Sequence, residues 1–391
     1  MKSKSHFFVM AALAFSAYCC SPKGDGSVSE VIVNGNKMFV FSLNELKSDV
    51  ATIPLSSLVE SLEMVQLETK EEAFFKPWFT TVTNKYIGVR QSGRSYLLFD
   101  RTGKFLCQVG SIGRGPGEYS GSLYDDIIDD ENDLIYLSPF SGNRILVYNT
   151  KGQFVKDIVA PQNLAKAKIF LSDNILTVFH MAMIHELNPN NRDMVNAIAI
   201  QFDVNTGKVL SELPPPEHFI VRNFDGEIFN TRNAQGIFDI NHLISQDTLY
   251  HFDVKNNRIL PAFSMSYFTT DEKIWRQYIQ INKDLVLTLV AGKGLVATDL
   301  KNKTSSWIKV TNDFLGNMPA PFGVVTARNG YWVLNIQPED LMEDIKDCLA
   351  KSGLSDFDRQ ALNRTLSSLK EGTNNVVFIG KLKDEVKTKL W

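Results

Sequence analysis

The chain has 391 residues and a formal net charge of −3, and its 22 % charged and 44 % hydrophobic residues are an ordinary globular composition. A near-neutral balance gives no long-range positive field to hold a polyanion, so nucleic acid is not an expected partner. Four cysteines are too few for a disulfide scaffold in a chain of this length.

The first twenty residues have the order of an export signal. Lys2 and Lys4 precede a nine-residue apolar run, residues 7–15. That run is shorter than the roughly 20 residues needed to span a bilayer, and it has the length of a signal-peptide core. We therefore predict a signal peptide over residues 1–19 and a flexible tether over residues 20–30.

Two cysteines follow the apolar run, and this order resembles a bacterial lipoprotein signal, in which a cysteine becomes the acylated N-terminus. The resemblance implies that Cys20 carries the lipid, because its preceding residue is the smaller one, with Cys19 as the alternative. The other interpretation is a plain secretory signal. The lipid anchor would be the only membrane contact, on the outer membrane or facing the periplasm.

A hairpin pattern recurs at intervals of about fifty residues through most of the remaining chain. Each copy has apolar residues, an Asp or Asn, a few turn residues and a second strand. The Asp or Asn opens the turn by hydrogen bonding to the backbone, and a following Gly or Asn accepts positive φ. Four short strands per period are typical of a propeller blade. The turn positions are Asp100, Asn149, Asp203, Asp253 and Asp299.

A sixth blade is predicted from both ends of the chain. Residues 323–326, 330–334 and 375–382 supply three strands, and residues 63–68 near the N-terminus supply the fourth. This pairing closes the ring and leaves no open strand edges. Two amphipathic helices, the second capped by Ser355, form an αα-hairpin inserted at about residues 338–372. The fold class is all-β, a six-bladed propeller over residues 31–391.

Residues 99–105 and the glycine-rich run at residues 110–119 resemble one family. These segments, FDRTGKF and GSIGRGPGEY, are similar to those of the six-bladed β-propeller lipoproteins of Bacteroidetes-type bacteria, which are akin to NHL-repeat and TolB-like propellers. The resemblance covers roughly residues 30–385. It implies the fold and export to the cell envelope, and it supplies no catalytic residue.

The glycine-rich run contains the best candidates for ligand or partner binding, Arg114 and Glu118. The glycines and Pro116 most simply permit a tight crossing between two blades, and the polar pair would then bridge within the loop. A loop already fixed by proline also loses little entropy on binding, which favours recognition by Arg114 and Glu118 at a propeller mouth.

Two further features of the sequence are candidates for metal sites. The acidic stretch at residues 125–133 lacks the glycine and terminal glutamate of an EF-hand, and we interpret it as a solvated turn. His180 and His185 have an odd spacing, which places them on opposite faces of a strand. We predict no catalytic residues, no metal ligands and no cofactor.

Two functions from different classes fit these observations. The first is a non-catalytic envelope protein that binds an unidentified protein, small molecule or glycan at one mouth of the propeller. The second is a metal-dependent hydrolase or lyase whose ligands converge from several blades on the central channel. Whether the chain is an enzyme stays open, with binding favoured.

Overall fold

A computed structural model describes residues 28–183, 196–221, 226–243, 248–266, 275–351 and 353–385. Six antiparallel sheets form a ring, which confirms the predicted six-bladed β-propeller. The first strand of each blade lies nearest the ring axis. The apolar side chains pack between neighbouring blades, as in the fully buried cluster that joins Val147 of the second blade to Leu176 of the third.

Thirty-two strands make up the described structure. Those of the N-terminal segment are β1 (Ser29–Val33), β2 (Asn36–Ser42), β3 (Val50–Pro54) and β4 (Val59–Gln66). Those of blade 1, the following crossing and blade 2 are β5 (Phe79–Val82), β6 (Tyr86–Arg90), β7 (Tyr96–Asp100), β8 (Phe105–Val109), β9 (Ser111–Ile112), β10 (Glu118–Tyr119), β11 (Leu123–Asp129), β12 (Leu134–Pro139), β13 (Arg144–Asn149) and β14 (Phe154–Val159).

Blade 3 consists of β15, β16, β18 and β19, and blade 4 of β21–β24. Their bounds, with the short strands β17 and β20 that pair beside them, are β15 (Lys168–Ser172), β16 (Ile175–Phe179), β17 (Ala182–Met183), β18 (Ala199–Asp203), β19 (Val209–Leu213), β20 (Ile220–Val221), β21 (Ile228–Phe229), β22 (Phe238–His242), β23 (Leu249–Asp253) and β24 (Arg258–Ser266).

Blade 5 consists of β25–β28 with the short β29 at its edge, and blade 6 of β30, β31, β32 and β4. Their bounds are β25 (Arg276–Gln280), β26 (Leu285–Val290), β27 (Gly294–Asp299), β28 (Thr304–Asn312), β29 (Met318–Pro319), β30 (Ala327–Arg328), β31 (Tyr331–Ile336) and β32 (Val376–Leu382).

The predicted turn chemistry is present in the outer hairpins of blades 1–5. Asp100 Oδ1 accepts hydrogen bonds from the backbone N–H groups of Thr102 (2.9 Å) and Lys104 (3.1 Å). The other turns use the same device, in which the side-chain oxygen replaces a backbone acceptor. In blades 2–5 the side chains that accept these backbone hydrogen bonds are Asn149, Asp203, Asp253 and Asp299.

The ring closes where the N-terminal strand β4 pairs antiparallel with β32, the last strand of the chain. Met64 lies opposite Phe378, as the sequence predicts. Two pairings upstream of β4 were not predicted. The strand β2 lies parallel to β24 on the outer edge of blade 4, and β3 lies parallel to β28 on blade 5. The first described strand, β1, begins at Ser29, inside the segment predicted as a tether.

Two helices, α1 (Pro338–Leu349) and α2 (Asp356–Ser368), are inserted between β31 and β32, which confirms the predicted helical insertion. Ser355 Oγ caps α2 by accepting from the Asp358 N–H at 3.1 Å. The apolar faces of both helices bury Ile345 and Leu362 against the joint core of blades 5 and 6. Residues 323–326 form a turn rather than the predicted strand, and the inner strand of blade 6 is the two-residue β30.

Glycines in equivalent hairpins are required to different degrees. Gly103 has φ +88°, and a Cβ there would lie 2.3 Å from the Gln66 carbonyl oxygen on the closing strand, whereas Gly207 has φ +70° and open space. We expect Gly207→Ala to cost about 1 kcal/mol through left-handed strain alone. Gly103→Ala adds a backbone clash and should cost about 2–4 kcal/mol. Urea unfolding of both variants tests this, and equal losses would contradict the contact with the closing strand.

Candidate functional site

Six charged side chains meet on the ring axis. Arg328 on β30 of blade 6 contacts Asp125 on β11 of blade 2 through Nη2 and Oδ1. Arg232, in the turn after β21 of blade 4, donates from Nη2 to the Asp126 carbonyl at 2.9 Å. Both contacts join non-adjacent blades, which requires them to cross the axis. We call this group the axial cluster, and its members are Arg90, Lys168, Arg232, Arg328, Asp125 and Asp126.

The remaining two cations come from blades 1 and 3. Arg90, at the end of β6, has Nε 3.1 Å from Asp126 Oδ1, and its Nη1 donates to the Leu123 carbonyl at 3.2 Å. Lys168, at the start of β15, has Nζ 3.4 Å from the Tyr124 carbonyl oxygen and 4.1 Å from the centroid of the Tyr124 ring. Among the described residues, no carboxylate lies within ion-pair distance of the Lys168 ammonium. A buried ammonium is therefore held by a carbonyl and aromatic faces.

The axial cluster carries more positive than negative charge. Its four cations face two carboxylates, a surplus of two when all are ionised. Asp239, a buried carboxylate of blade 4, reduces the surplus to one when it is counted, although it accepts from Thr231 and from the Arg232 backbone N–H. Burying unbalanced charge is costly, so the axial cluster is not explained as a stabilising element of the fold.

The pKa values of the axial cluster follow from this imbalance. Burial alone would raise the pKa of Asp125, but Arg232 and then Arg328 hold the pKa of this carboxyl well below its usual range. Burial, followed by the nearby arginines, lowers the pKa of the Lys168 ammonium well below its usual value despite the attraction of Asp125. The carboxylate stays ionised at neutral pH, and the ammonium is the group most easily discharged.

Several donors on the axis have no hydrogen-bond acceptor. Among the described residues, Arg90 Nη2, Arg232 Nε and Arg328 Nε are buried without a hydrogen-bond partner. Thr81 Oγ1 on β5 is likewise buried and unpartnered. Buried polar groups are normally satisfied, so these donors make the axis a candidate place for a bound acceptor. Asp126 Oδ1 also lacks a hydrogen-bond partner among the described residues.

A cavity of about 310 Å³ opens beside the axial cluster at one mouth of the ring. It lies on the face that carries the turns between first and second strands, and Arg232 and Thr81 line it. Asn84, Asn329 and Tyr331 add polar atoms, and the Tyr331 hydroxyl donates to Asn84 Oδ1 at 2.9 Å. The cavity has the size of a small-molecule site and a polar wall suited to orienting one ligand.

Arg114 and Glu118, the residues predicted from the sequence, lie in the crossing from blade 1 to blade 2. Glu118 accepts from the Gly115 N–H at 2.7 Å, and this hydrogen bond lowers the pKa of its carboxyl. A Cβ on Gly113 would lie 2.0 Å from Glu118 Oε2, and a Cβ on Gly117 would meet Phe154 on the outer strand β14. The loop thus packs against outer strands, away from the axial cluster, and no ion pair joins Arg114 to Glu118 in the described structure. Their binding role stays a prediction.

Single alanine substitutions separate the two residues. Glu118→Ala should lower the thermal unfolding midpoint, because it removes the acceptor that folds the glycine-rich crossing. Arg114→Ala should leave the midpoint unchanged, since this side chain is exposed. Differential scanning calorimetry of both variants measures the difference. A loss of equal size in Arg114→Ala would show that Arg114 also holds the crossing.

The acidic stretch divides into two parts. Asp129 accepts from the N–H groups of Glu131 and Asn132 in an exposed turn, as predicted. Asp125 and Asp126 are instead fully buried on β11 within the axial cluster, so the prediction of a solvated turn is wrong for them.

Of the two histidines considered as a pair, His180 lies within the described residues and His185 does not. His180 is buried, its Nε2 lies 2.6 Å from Gln162 Nε2, and burial lowers its pKa to about 4, while His185 lies outside the described residues. Within the described ranges, no group of three His, Cys, Asp or Glu side chains is placed to hold a metal ion. Nor does any helix of those ranges have the length and apolarity needed to cross a membrane.

The fold and the axis define a class: a six-bladed β-propeller with buried charged side chains on its axis and a cavity beside them at one mouth. Residues 38–381 match the family model DUF4934, described as a domain of unknown function, and the chain belongs to that family. No curated protein sequence matches it significantly.

Solved structures of Bacteroides proteins resemble the chain. One, described as an exported protein of Bacteroides fragilis NCTC 9343, is 14 % identical over 86 % of this chain and 100 % of its own, with a TM-score of 0.58. A DUF4221 member from Bacteroides vulgatus ATCC 8482 is 10 % identical over 92 % and 100 %, with a TM-score of 0.44. The first likeness supports the fold, while the lipoprotein and NHL-type features of the resemblance stay predictions.

Proposed function

We propose that this chain is an exported, lipid-anchored, non-catalytic binding protein of the bacterial cell envelope, which receives a ligand or protein partner at a mouth of its propeller. The export signal over residues 1–19 and the lipid on Cys20, or on Cys19, belong to this proposal and lie outside the described residues. The similarity to an exported Bacteroides protein agrees with it. Mass spectrometry of the N-terminal peptide from membranes tests the anchor, and an intact Met1 would contradict it.

The observation that supports the binding function is that both carboxylates on the ring axis are already paired with cations of the protein. In a propeller enzyme, acidic or imidazole side chains would converge on the channel as metal ligands or proton carriers. Here Asp125 pairs with Arg328 and accepts from the Ile169 N–H at 2.9 Å. Asp126 forms an ion pair with Arg90 and accepts from the Tyr96 hydroxyl at 2.9 Å. A divalent cation would also face the surplus positive charge of the axial cluster. This disfavours the alternative of a metal-dependent hydrolase or lyase.

Native mass spectrometry of the protein released from its own envelope tests the binding function. We expect a bound molecule or partner that remains chemically unchanged on incubation. Protein isolated without any bound species, or protein that converts an added molecule in many-fold excess over itself, would contradict a non-catalytic binding role.

A further inference from the structure

The mouth cavity is lined by two residues with unpaired donors, Thr81 on blade 1 and Arg232 on blade 4, which lie on opposite sides of the ring. Thr81 is 3 % exposed, the Arg232 side chain is 6 % exposed, and neither Thr81 Oγ1 nor Arg232 Nε has a hydrogen-bond partner among the described residues. Both residues line the cavity. A hydroxyl and a guanidinium N–H together suit an acceptor with more than one oxygen, as in a carboxylate or phosphate.

The backbone of Arg232 is held in an unfavourable conformation. Its φ is +54°, in the left-handed region that a long side chain rarely adopts. Asp239 maintains this turn by accepting from the Arg232 N–H at 2.6 Å, and Nη1 is fixed by the Ile169 carbonyl at 2.7 Å. Local strain kept by surrounding contacts is a feature of functional sites, and here it orients one guanidinium before any ligand arrives.

The charge behind the cavity favours an anion. Arg232 belongs to the axial cluster, where three arginines face the carboxylates of Asp125 and Asp126. Phe79 lies among them, with the guanidinium carbons of Arg90 and Arg328 at 4.3 and 5.4 Å from its ring centroid. An anion at the mouth would be attracted by these arginines.

One carboxylate, that of Asp130, also lines the cavity, and its oxygens are occupied by hydrogen bonds from neighbouring residues. Asp130 accepts from Thr83 Oγ1 at 2.7 Å and from the backbone N–H groups of Asn84 and Lys85 at 2.9 and 3.2 Å. The carboxylate is thus occupied by the turn of blade 1. The ammonium of Lys85 donates to the backbone carbonyl of Asp130 and forms its ion pair with Asp133 at 3.4 Å.

Resting on the proposed binding function, we propose that the mouth cavity binds the oxyanion group of a small ligand, a carboxylate or phosphate, with Arg232 and Thr81 as its donors. The cavity volume of about 310 Å³ accommodates a molecule of roughly the size of a sugar acid. The amide and hydroxyl groups of Asn84, Asn329 and Tyr331 then face the uncharged part of that molecule.

Isothermal titration calorimetry with four probes tests this inference at constant ionic strength. Inorganic phosphate, sulfate and D-glucuronate are the anions, and D-glucose is the uncharged match of glucuronate. We expect at least one anion to bind at one site per chain and glucose not to bind. Binding by glucuronate alone identifies a carboxylate ligand, and binding by phosphate or sulfate alone identifies a phosphate-like one.

Three variants assign the donors. Thr81→Val should retain the fold, because its hydroxyl has no partner, and should weaken anion binding about 3- to 10-fold. Arg232→Met should weaken binding more, by about 10- to 100-fold. Thr288→Val is the matched control, since Thr288 Oγ1 is also buried and unpartnered but does not line the cavity, and its affinity should equal that of the wild type.

The two proposals fail in different ways. If no anion binds, or if Thr81→Val binds as tightly as the wild type, the oxyanion site is wrong. Equal binding of glucose and glucuronate also overturns the oxyanion site, while it leaves ligand binding at the mouth intact. Conversion of a probe in excess over the protein would instead overturn the non-catalytic function.

Discussion

Removal of residues 1–66 is expected to abolish the cooperative unfolding of the propeller, whereas removal of residues 1–27 leaves the unfolding midpoint unchanged. The longer deletion removes β4 and opens the ring at β32, whose side chains Val376–Ile379 are buried. It also removes eight core side chains, and at about 1.5–3 kcal/mol each their loss is on the order of 10–20 kcal/mol, at least as large as the stability of a typical domain. These are Val28, Phe41, Leu43, Ile53, Leu55, Leu58, Val59 and Val65.

An intermediate deletion, residues 1–49, distinguishes closure of the ring from general loss of core. It removes β1 and β2 from the edge of blade 4 but keeps β3 and β4. We expect this variant to retain a single cooperative transition, with a thermal midpoint below that of the deletion ending at residue 27. Loss of the cooperative transition in this variant, or its retention in the deletion ending at residue 66, would contradict the view that β4 closes the ring.

Replacement of Asp125 by Asn should destabilise the protein by about 3–5 kcal/mol, because it leaves buried cations without their partner. The carboxylate contacts Arg328 and Arg232, and it accepts from the Ile169 N–H at 2.9 Å. Urea unfolding at pH 7 measures the loss. Asp49→Asn is the matched control, since Asp49 is exposed, and it should leave the unfolding free energy unchanged.

The pH dependence of this loss follows from the sign of the pKa shift. The pKa of Asp125 lies below its value in the unfolded chain, about 3.9, so its stabilising effect is fully present above that pH. The effect declines as the pH falls further towards the folded-state pKa, because the unfolded chain then binds a proton that the native state refuses. The difference between wild type and Asp125→Asn should therefore be constant from pH 7 to about 5 and shrink below pH 4. A difference that grows on acidification would contradict the assigned ion pairs.

Local signals predicted the frame of the molecule. Residues close together in sequence determine the turns at Asp100 and Asn149 and the helix cap at Ser355. The alternation around Met64 predicted a strand, and the sixth blade lacked one strand. The pairing of β2 and β3 with the outer strands of blades 4 and 5 was not predicted. Both pairs are parallel, so no hairpin turn joins the two strands and no turn residue indicates the pairing. The short β30 was missed because two residues carry no periodic pattern.

The axial cluster could not be read from the sequence for a geometric reason. Its members lie in five blades, and contacts such as Arg328 with Asp125 cross the axis between strands far apart in the chain. Adjacent aspartates in an otherwise apolar strand, Asp125 and Asp126 within β11, were the one available signal. The sequence nevertheless predicts a solvated turn for the whole acidic stretch, because a run of acidic residues is usually exposed.

The most direct test of the account is a high-resolution crystal structure of the protein purified, without denaturation, from the envelope that produces it. We expect electron density for one compact anionic molecule in the mouth cavity, with its oxygens within hydrogen-bond distance of Arg232 and Thr81. An empty mouth cavity together with a ligand bound elsewhere, for example at the crossing that holds Arg114 and Glu118, would contradict it.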